Sequence, residues 1–450
     1  MHYKIIYILI LTSLTFSQSF FNRIIPGELY YNDAKSMSMG RTNSSIGNSS
    51  WSTISNPSLL SNNKDGIHVD LNLGFDSISE RRSIIFKDEW EEALGETDYV
   101  FNQNNNFSNS FGAIFSASLW KFKVTGSISQ NPFLSLDYNY SEEVRGDSNL
   151  DDGIIGINDP IVGYQTYSTN GVLDVQSAGI SFAFKSNKRK NYSVGFGVNR
   201  ILDTNITDKI KLIVIDDSYG TENLSLMDDV ANMYSLTTDK QFHTLGVQIP
   251  LTNELVIALS YEESISIFDN TGPGLLLGGI SNIVGLPQLF GFEDGELSYL
   301  VNGFNYKKPE KKNFGISYYP QSNVNMILVF EIENKYLDHS VKVAGIDYDI
   351  NDYKLGFEYT PHNSYPMRAG LVYSESIFSA VEPTAILTLG TGAKIGKVEF
   401  DFAMNYSTTK YKYFDILPLE DIYNLSCDDI GCDNVTENKL SFLTTFKIGF

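Results

Sequence analysis

The feature that most constrains this chain is the regular alternation of apolar and polar residues, and its clearest example lies between Leu440 and Phe450. Leu440, Phe442 and every second residue after them form one mostly apolar face, whereas the intervening residues are mostly small or polar. Successive side chains of a β-strand point to opposite faces, so this period of two predicts a strand with one greasy face. Such a strand fits a wall that has hydrocarbon on one side and an enclosed interior on the other.

Residues 1–17 have the form of a secretory signal peptide. Lys4 precedes an apolar run from Ile5 to Phe16, and we expect cleavage near Ser17 and Gln18. The run is too short to span a bilayer as a helix, and no cysteine follows it to accept a lipid anchor. Since no later stretch offers an unbroken apolar run of that length, we expect the exported chain to enter a membrane through strands.

Alternation bounded by turn residues predicts an even number of strands along the rest of the chain. The fourteen segments are 66–76, 107–119, 121–130, 173–185, 191–203, 240–250, 254–266, 312–319, 324–334, 352–360, 366–375, 385–395, 397–408 and 440–450. Short turns alternate with long polar connections between them, as in an up-and-down membrane barrel. The predicted fold is therefore an all-β, transmembrane antiparallel barrel over residues 66–450. We expect it in a Gram-negative-type outer membrane with both termini periplasmic.

Charged residues inside these strands predict which face is inward. Arg or Lys on the lipid face near the bilayer midplane costs about 2–4 kcal/mol. The resulting lumen charges are Lys354, Glu358, Arg368, Glu399, Asp401 and Lys447. Two interpretations stay open: a structural lining that holds plug residues and water, or a specific substrate site.

The excess of acidic over basic residues limits which partners the chain can bind. Lys and Arg number 33 against 54 Asp and Glu, a formal charge of −21, and no basic stripe is present, which argues against nucleic acid. The acidic segments could serve as calcium sites or as solvated loops, and solvated loops are favoured because no EF-hand spacing occurs. Cys427 and Cys432 lie close together in one of them; a local disulfide is favoured over free thiols, and a metal site is not expected.

The sequence offers no catalytic constellation. None of the five histidines stands in metal-ligand spacing with another, and neither a G-x-S-x-G motif nor a phosphate-binding loop is present. We therefore predict neither an enzyme nor a cofactor or metal.

Residues 18–65, ahead of the first strand, lack alternation. They contain Met39-Gly40 within a run of small residues, and later Asn56-Pro57-Ser58. This pair of elements resembles the N-terminal hatch of the FadL family of outer-membrane transporters and their PorV-type relatives, although Ser58 replaces the usual alanine. The resemblance implies a barrel of about fourteen strands with residues 18–65 plugging its lumen. A barrel of that size leaves a lumen that needs filling. A periplasmic tether is the alternative.

Two further segments suggest contacts with the surroundings. Phe446, Ile448 and Phe450 resemble the C-terminal assembly signal of outer-membrane proteins, which implies recognition by the barrel-assembly machinery. An apolar stretch in a long connection needs burial over the barrel mouth, against outer-membrane lipid or around an apolar ligand. Its candidate contact residues are Leu275, Leu276, Leu277, Ile280, Ile283, Leu286, Leu289 and Phe290.

Two functions follow from the resemblance. The first is passive uptake of a hydrophobic small molecule, such as a long-chain fatty acid or a hydrocarbon, across the outer membrane. The second is a PorV-like protein-interaction barrel that assists type IX secretion of exported proteins.

Overall fold

The computed structural model describes residues 27–30, 32–87, 90, 93–145, 160–214, 230–236, 240–267, 307–321, 325–337, 347–361, 365–378, 381–413 and 433–450. The helices are α1 (Ala34–Ser38), α2 (Ser52–Ser55) and a 3₁₀ helix (Pro57–Asn62). None of the helices in these ranges is long and apolar enough to cross a membrane. The signal peptide, the apolar stretch Leu275–Phe290 and the cysteine pair Cys427 and Cys432 lie outside the described residues.

The strands are β1 (Gly27–Glu28), β2 (Gly66–Lys87), β3 (Ala93–Leu119), β4 (Phe122–Ser135), β5 (Tyr138–Arg145), β6 (Ile161–Asn170), β7 (Val172–Phe184), β8 (Tyr192–Ile201), β9 (Thr204–Val214), β10 (Val230–Leu236), β11 (Gln241–Pro250), β12 (Leu255–Glu262), β13 (Ile265–Ser266), β14 (Lys307–Lys308), β15 (Glu310–Tyr318), β16 (Asn325–Tyr336), β17 (Asp349–Thr360), β18 (Met367–Ser374), β19 (Thr384–Ile395), β20 (Val398–Tyr413) and β21 (Asp433–Gly449).

Fourteen of these strands, β2–β4, β7, β8, β11, β12 and β15–β21, close into an antiparallel barrel. The ring closes through β2 on β21, where Leu71 lies opposite Phe446, and through β4 on β7. Each of the predicted strand segments overlaps one of them. The predicted fold class and strand number are therefore confirmed.

The two faces of the wall separate as the period of two requires. On β2, Leu71 and Leu73 point outward and are 38% and 43% exposed, while Asp70 and Asn72 between them are buried. Apolar side chains can face outward in this way because hydrocarbon, rather than water, surrounds a transmembrane barrel.

Several strands extend beyond the predicted segments at the end of the barrel that carries the long connections, here called the loop end. The four strands β5, β6, β9 and β10 form a second sheet there. These segments were predicted to be polar connections, which was wrong. The four strands pair with one another and not with the barrel, so they have no lipid-facing apolar side that would show in the sequence as alternation.

The ladder between β3 and β4 is incomplete. It runs from Leu119 opposite Phe122 to Phe111 opposite Gln130, although both strands continue toward the loop end. Beyond that point β4 pairs with β7 on one edge and with β1 on the other, and a bulge interrupts its register between Pro132 and Leu134. Bulges bend a strand, and proline cannot donate to a ladder. We call the resulting interruption between β3 and β4 the seam.

Candidate functional site

The chain between β1 and β2 fills the barrel interior and forms the plug, residues 32–63. Asp33 caps α1, because its carboxylate accepts the backbone N–H of Ser36 at 2.8 Å. Trp51 and Leu59 are fully buried. A barrel with a plug is the architecture that the sequence predicted.

Residues 38–40 of the plug lie against three inward-facing glycines of the wall, Gly356, Gly370 and Gly390 on β17, β18 and β19, which form the glycine cradle. At Gly356 and Gly370 the wall backbone meets the backbone of Met39 and Gly40 directly, whereas Gly390 faces the side chain of Ser38. A Cβ atom at Gly370 would fall within 3 Å of backbone atoms of both Met39 and Gly40. Gly40 itself has a φ of +69°, which favours glycine, and its N–H donates to Thr388 Oγ1 at 2.9 Å.

Asn56, Pro57 and Ser58 occupy the opposite wall, against Gly195 on β8 and Gly246 on β11. Asn56 Nδ2 donates to the carbonyl of Ser44 at 2.6 Å, and its Oδ1 accepts the Ser58 N–H at 3.1 Å. The side chain therefore ties the two halves of the plug together. Inward glycines that lie opposite each other on neighbouring strands, as Gly195 and Gly246 do, are a signal that sequence reasoning missed.

Glu331 on β16 also holds the plug and was missed in the sequence. Its buried carboxylate accepts backbone N–H groups of Asn43, Ser44 and Ser45 at 2.8–3.0 Å, and the Ser45 hydroxyl at 2.6 Å. Charge-assisted bonds of this kind are stronger than neutral ones. They anchor the loop that follows Gly40.

Replacing Glu331 by glutamine should therefore loosen the plug by about 1–3 kcal/mol, because one acceptor oxygen becomes an NH₂ group facing a backbone N–H donor. Trp51 is the buried reporter, since Trp90 and Trp120 are exposed. In a background with both exposed tryptophans changed to phenylalanine, the Trp51 emission of E331Q should shift to the red at a lower urea concentration. An unchanged midpoint would show that Glu331 does not hold the plug.

The structure brings three of the predicted lumen charges, Glu358, Arg368 and Asp401, into contact. Arg368 donates to Glu358 and to Asp401, each at 2.6 Å, and Lys35 of the plug lies 3.1 Å from Glu358. Lys447 belongs to a different pair, with Asp33 at 3.4 Å. Glu399 forms an ion pair with Lys394 beside the β19–β20 turn.

Below the plug, at the end of the barrel that carries the short turns, lies a polar vestibule of about 740 Å³. We call this end the turn end. The vestibule is lined by charged and aromatic side chains that include Lys35, Arg189, Lys190, Tyr319 and Arg368. Its many charged and amide side chains make it a poor binding cavity for a purely apolar molecule.

Above the plug the lumen is apolar along one wall. Ten buried side chains pack together there as the apolar lumen cluster, and Ile54 of the plug is one of them. The others are Phe133, Leu134, Leu136, Leu173, Val175, Ile201, Ile206, Phe242 and Ile267. Phe133 and Leu134 belong to the part of β4 that leaves β3, so the cluster lies at the seam.

A buried carboxyl adjoins this cluster. Asp137, in the connection between β4 and β5, accepts the Gly171 N–H with one carboxyl oxygen, and its other oxygen has no hydrogen-bond partner among the described residues. Burial raises the pKa of Asp137 to about 7. The group is therefore largely protonated at a mildly acidic pH, which suits its apolar neighbours.

The raised pKa of Asp137 predicts a pH dependence. Between about pH 4 and about pH 7 the unfolded chain has lost this proton while the folded protein keeps it, so the free energy of unfolding falls by about 1.4 kcal/mol per pH unit. The variant D137N lacks this contribution. Its melting temperature in detergent should fall less than that of the wild type between pH 5 and pH 7, values spanning that window. Parallel profiles would contradict the assignment.

The described residues contain no group of three or more His, Cys, Asp or Glu side chains arranged to hold a metal ion. No family model and no curated protein matches the chain by sequence.

Solved structures do match. A crystal structure of the Pseudomonas putida toluene transporter TodX aligns over 95% of this chain and 100% of its own length, with a TM-score of 0.55 and 14% identity. The chain has the fold of the FadL-type channels. The Ralstonia pickettii toluene transporter TbuX aligns over 93% and 98% of the two chains, with a TM-score of 0.51 and 14% identity. A Pseudomonas aeruginosa FadL homologue covers the same shares at a TM-score of 0.53 and 12% identity.

At these identities the likeness concerns the FadL-type fold. TodX and TbuX are toluene transporters. The secretion-associated alternative gains no support from the comparisons.

Proposed function

We propose that this protein is an outer-membrane channel of the FadL type for passive uptake of a hydrophobic small molecule. The apolar lumen cluster carries the proposal. The interior of a transmembrane barrel is ordinarily polar, so ten buried apolar side chains above a plug call for a specific purpose. A surface of this kind binds an apolar ligand when its side chains part.

The position of the cluster indicates a route. Leu134 lies where β4 has left β3 and pairs with β1, so the cluster adjoins the seam and not a continuous ladder of barrel strands. Across the seam, hydrogen bonds between β3 and β5 replace the ladder: Asn104 Nδ2 donates to the Asn139 carbonyl and the Ser141 N–H donates to Asn102 Oδ1, both at 3.2 Å. An apolar molecule crossing here enters the membrane sideways and avoids the polar vestibule.

The predicted contact residues Leu275–Phe290 lie outside the described residues, and the proposal keeps them as contacts for the apolar ligand. The predicted hatch residues Met39, Gly40, Asn56, Pro57 and Ser58 act as the closure of the lumen. The lumen charges Glu358, Arg368 and Asp401 then serve to hold that closure, since they contact one another and Lys35 of the plug.

Uptake of labelled ligands tests the function. Cells of a Gram-negative host that lacks its own FadL-type channel should take up oleate or toluene faster when they express this protein than when they carry an empty vector. Mass spectrometry of lipids extracted from the purified barrel should reveal a bound apolar molecule. Uptake equal to the vector control for both ligands, together with a co-purified exported protein, would reverse the proposal.

A further inference from the structure

Positive charge is concentrated in one sector of the turn end, and the transport proposal makes no use of it. Two neighbouring turns, β3–β4 and β7–β8, carry five cations in a chain whose formal charge is −21, and a sixth follows at the start of β4. This basic sector consists of Lys121, Lys123, Lys185, Lys188, Arg189 and Lys190.

Backbone hydrogen bonds fix the basic sector in place. The Lys185 N–H donates to the Lys121 carbonyl at 2.9 Å, which joins the two turns. Lys188 Nζ reaches the β11–β12 turn, where it donates to the carbonyls of Pro250 and Leu251 at 2.7 and 2.8 Å. Hydrogen bonds therefore link the basic sector to three adjacent turns. Within the sector Lys121 and Lys185 are exposed, Lys123 is buried, and Arg189 and Lys190 line the polar vestibule.

Carboxylates compensate little of this charge. Among the described residues, Asp65 is the one acidic side chain within ion-pair distance of the sector, 3.6 Å from Lys123. The β19–β20 turn differs, because Lys394 there is paired with Glu399. The turn end thus has its densest group of cations in the basic sector.

The basic sector lies at the boundary of the lipid-facing surface. Trp120 is 84% exposed, and Lys121 Nζ lies 5.5 Å from the centre of its ring. Lys188 Nζ donates to the hydroxyl of Tyr192, an outward residue of β8, at 2.9 Å. Trp and Tyr beside Lys are typical of the membrane–water interface, where aromatic rings sit at headgroup depth.

We propose that the basic sector binds anionic phospholipid headgroups of the inner leaflet of the outer membrane. Lys121 and Lys185 are exposed and offer ammonium groups to a phosphodiester, and the aromatic residues beside them seat the glycerol and upper acyl chain. The orientation, with the turn end in the periplasm, rests on the proposed function. Lipid binding itself can be measured without any transport.

Native mass spectrometry of the full-length protein in detergent tests this site. Titration with phosphatidylglycerol and with phosphatidylethanolamine should show preferential binding of the anionic lipid by the wild type. In the double variant K121Q/K185Q that preference should fall at least about tenfold, because each of the two removed cations contributes a similar share of the electrostatic attraction to the anionic headgroup. Lys188 is left intact because it holds the turns together.

The matched control is K394Q/K397Q, which removes two exposed cations from the opposite part of the same end and should keep the preference within about twofold of the wild type. A wild type without preference, or an equal loss in both variants, would overturn the proposal. So would retention of an acidic soluble protein in place of lipid. If the double variant fails to fold, two other measurements test the site. The single variant K185Q should show a reduced preference for the anionic lipid, and the wild type should lose its preference at about 0.5 M salt.

Discussion

Replacing Gly370 by alanine is expected to open the barrel. The new Cβ atom falls within 3 Å of the backbone of Met39 and Gly40, and backbone atoms cannot move aside as a flexible side chain can. The added methyl therefore displaces the first half of the plug, and a lumen enclosed by fourteen strands becomes continuous with water. We expect single-channel conductance in planar bilayers to rise at least about tenfold, because wide barrels without a plug form aqueous channels.

The matched control for G370A is G126A. Gly126 also lies in a barrel strand, but a Cβ there meets one atom, the Gly179 carbonyl oxygen, at an ordinary 3.8 Å. It should conduct as the wild type does. Heat-modifiable migration of both variants on gels establishes that the barrels have folded. A folded G370A barrel with wild-type conductance would show that the plug does not depend on the glycine cradle.

The barrel was predictable because its lipid face imposes a period of two on the sequence. On β21, Phe442 and Phe446 lie outward and Leu443 and Lys447 inward, as the alternation indicates. The extension of β3 toward residue 93 was not predictable from alternation, because its Asn-rich upper part carries no apolar belt. The existence of a strand follows from the local alternation in its sequence, whereas its length beyond the membrane depends on the strands with which it pairs.

The candidate site was predictable in part. Asn56 and Pro57 were singled out in the sequence by resemblance to a hatch element, and the structure places them in the plug, where the Asn56 side chain caps the 3₁₀ helix that begins at Pro57. The role of Glu331 depends on its meeting a loop nearly three hundred residues earlier in the chain, at Ser45, and no local pattern encodes that meeting. The seam likewise depends on β1 pairing with β4, a contact between distant segments.

The apolar lumen cluster, too, was not predicted from the sequence, although some of its members had been placed in strands. Leu173 and Val175 lie on β7 at inward positions, next to residues such as Ser177 that continue the same face with polar side chains. Along this inward face the side chains change from apolar to polar, and a comparison of neighbouring strands in the sequence would have revealed that change. The change marks the boundary between the part of the lumen that suits an apolar ligand and the part that suits water.

Replacing Leu173 by asparagine should reduce uptake of an apolar ligand at least about fivefold. Leu173 is fully buried in the cluster beside the seam, and an amide there leaves polar groups unpaired against the ligand, a penalty of about 1–3 kcal/mol. The matched control is L443N, the same change in a buried leucine that packs with Ala34 and Met37 of the plug, away from that cluster. Both variants should lose similar thermal stability. Only L173N should lose uptake of oleate or toluene, and equal loss of uptake in the two would show that the cluster has no particular part in the route.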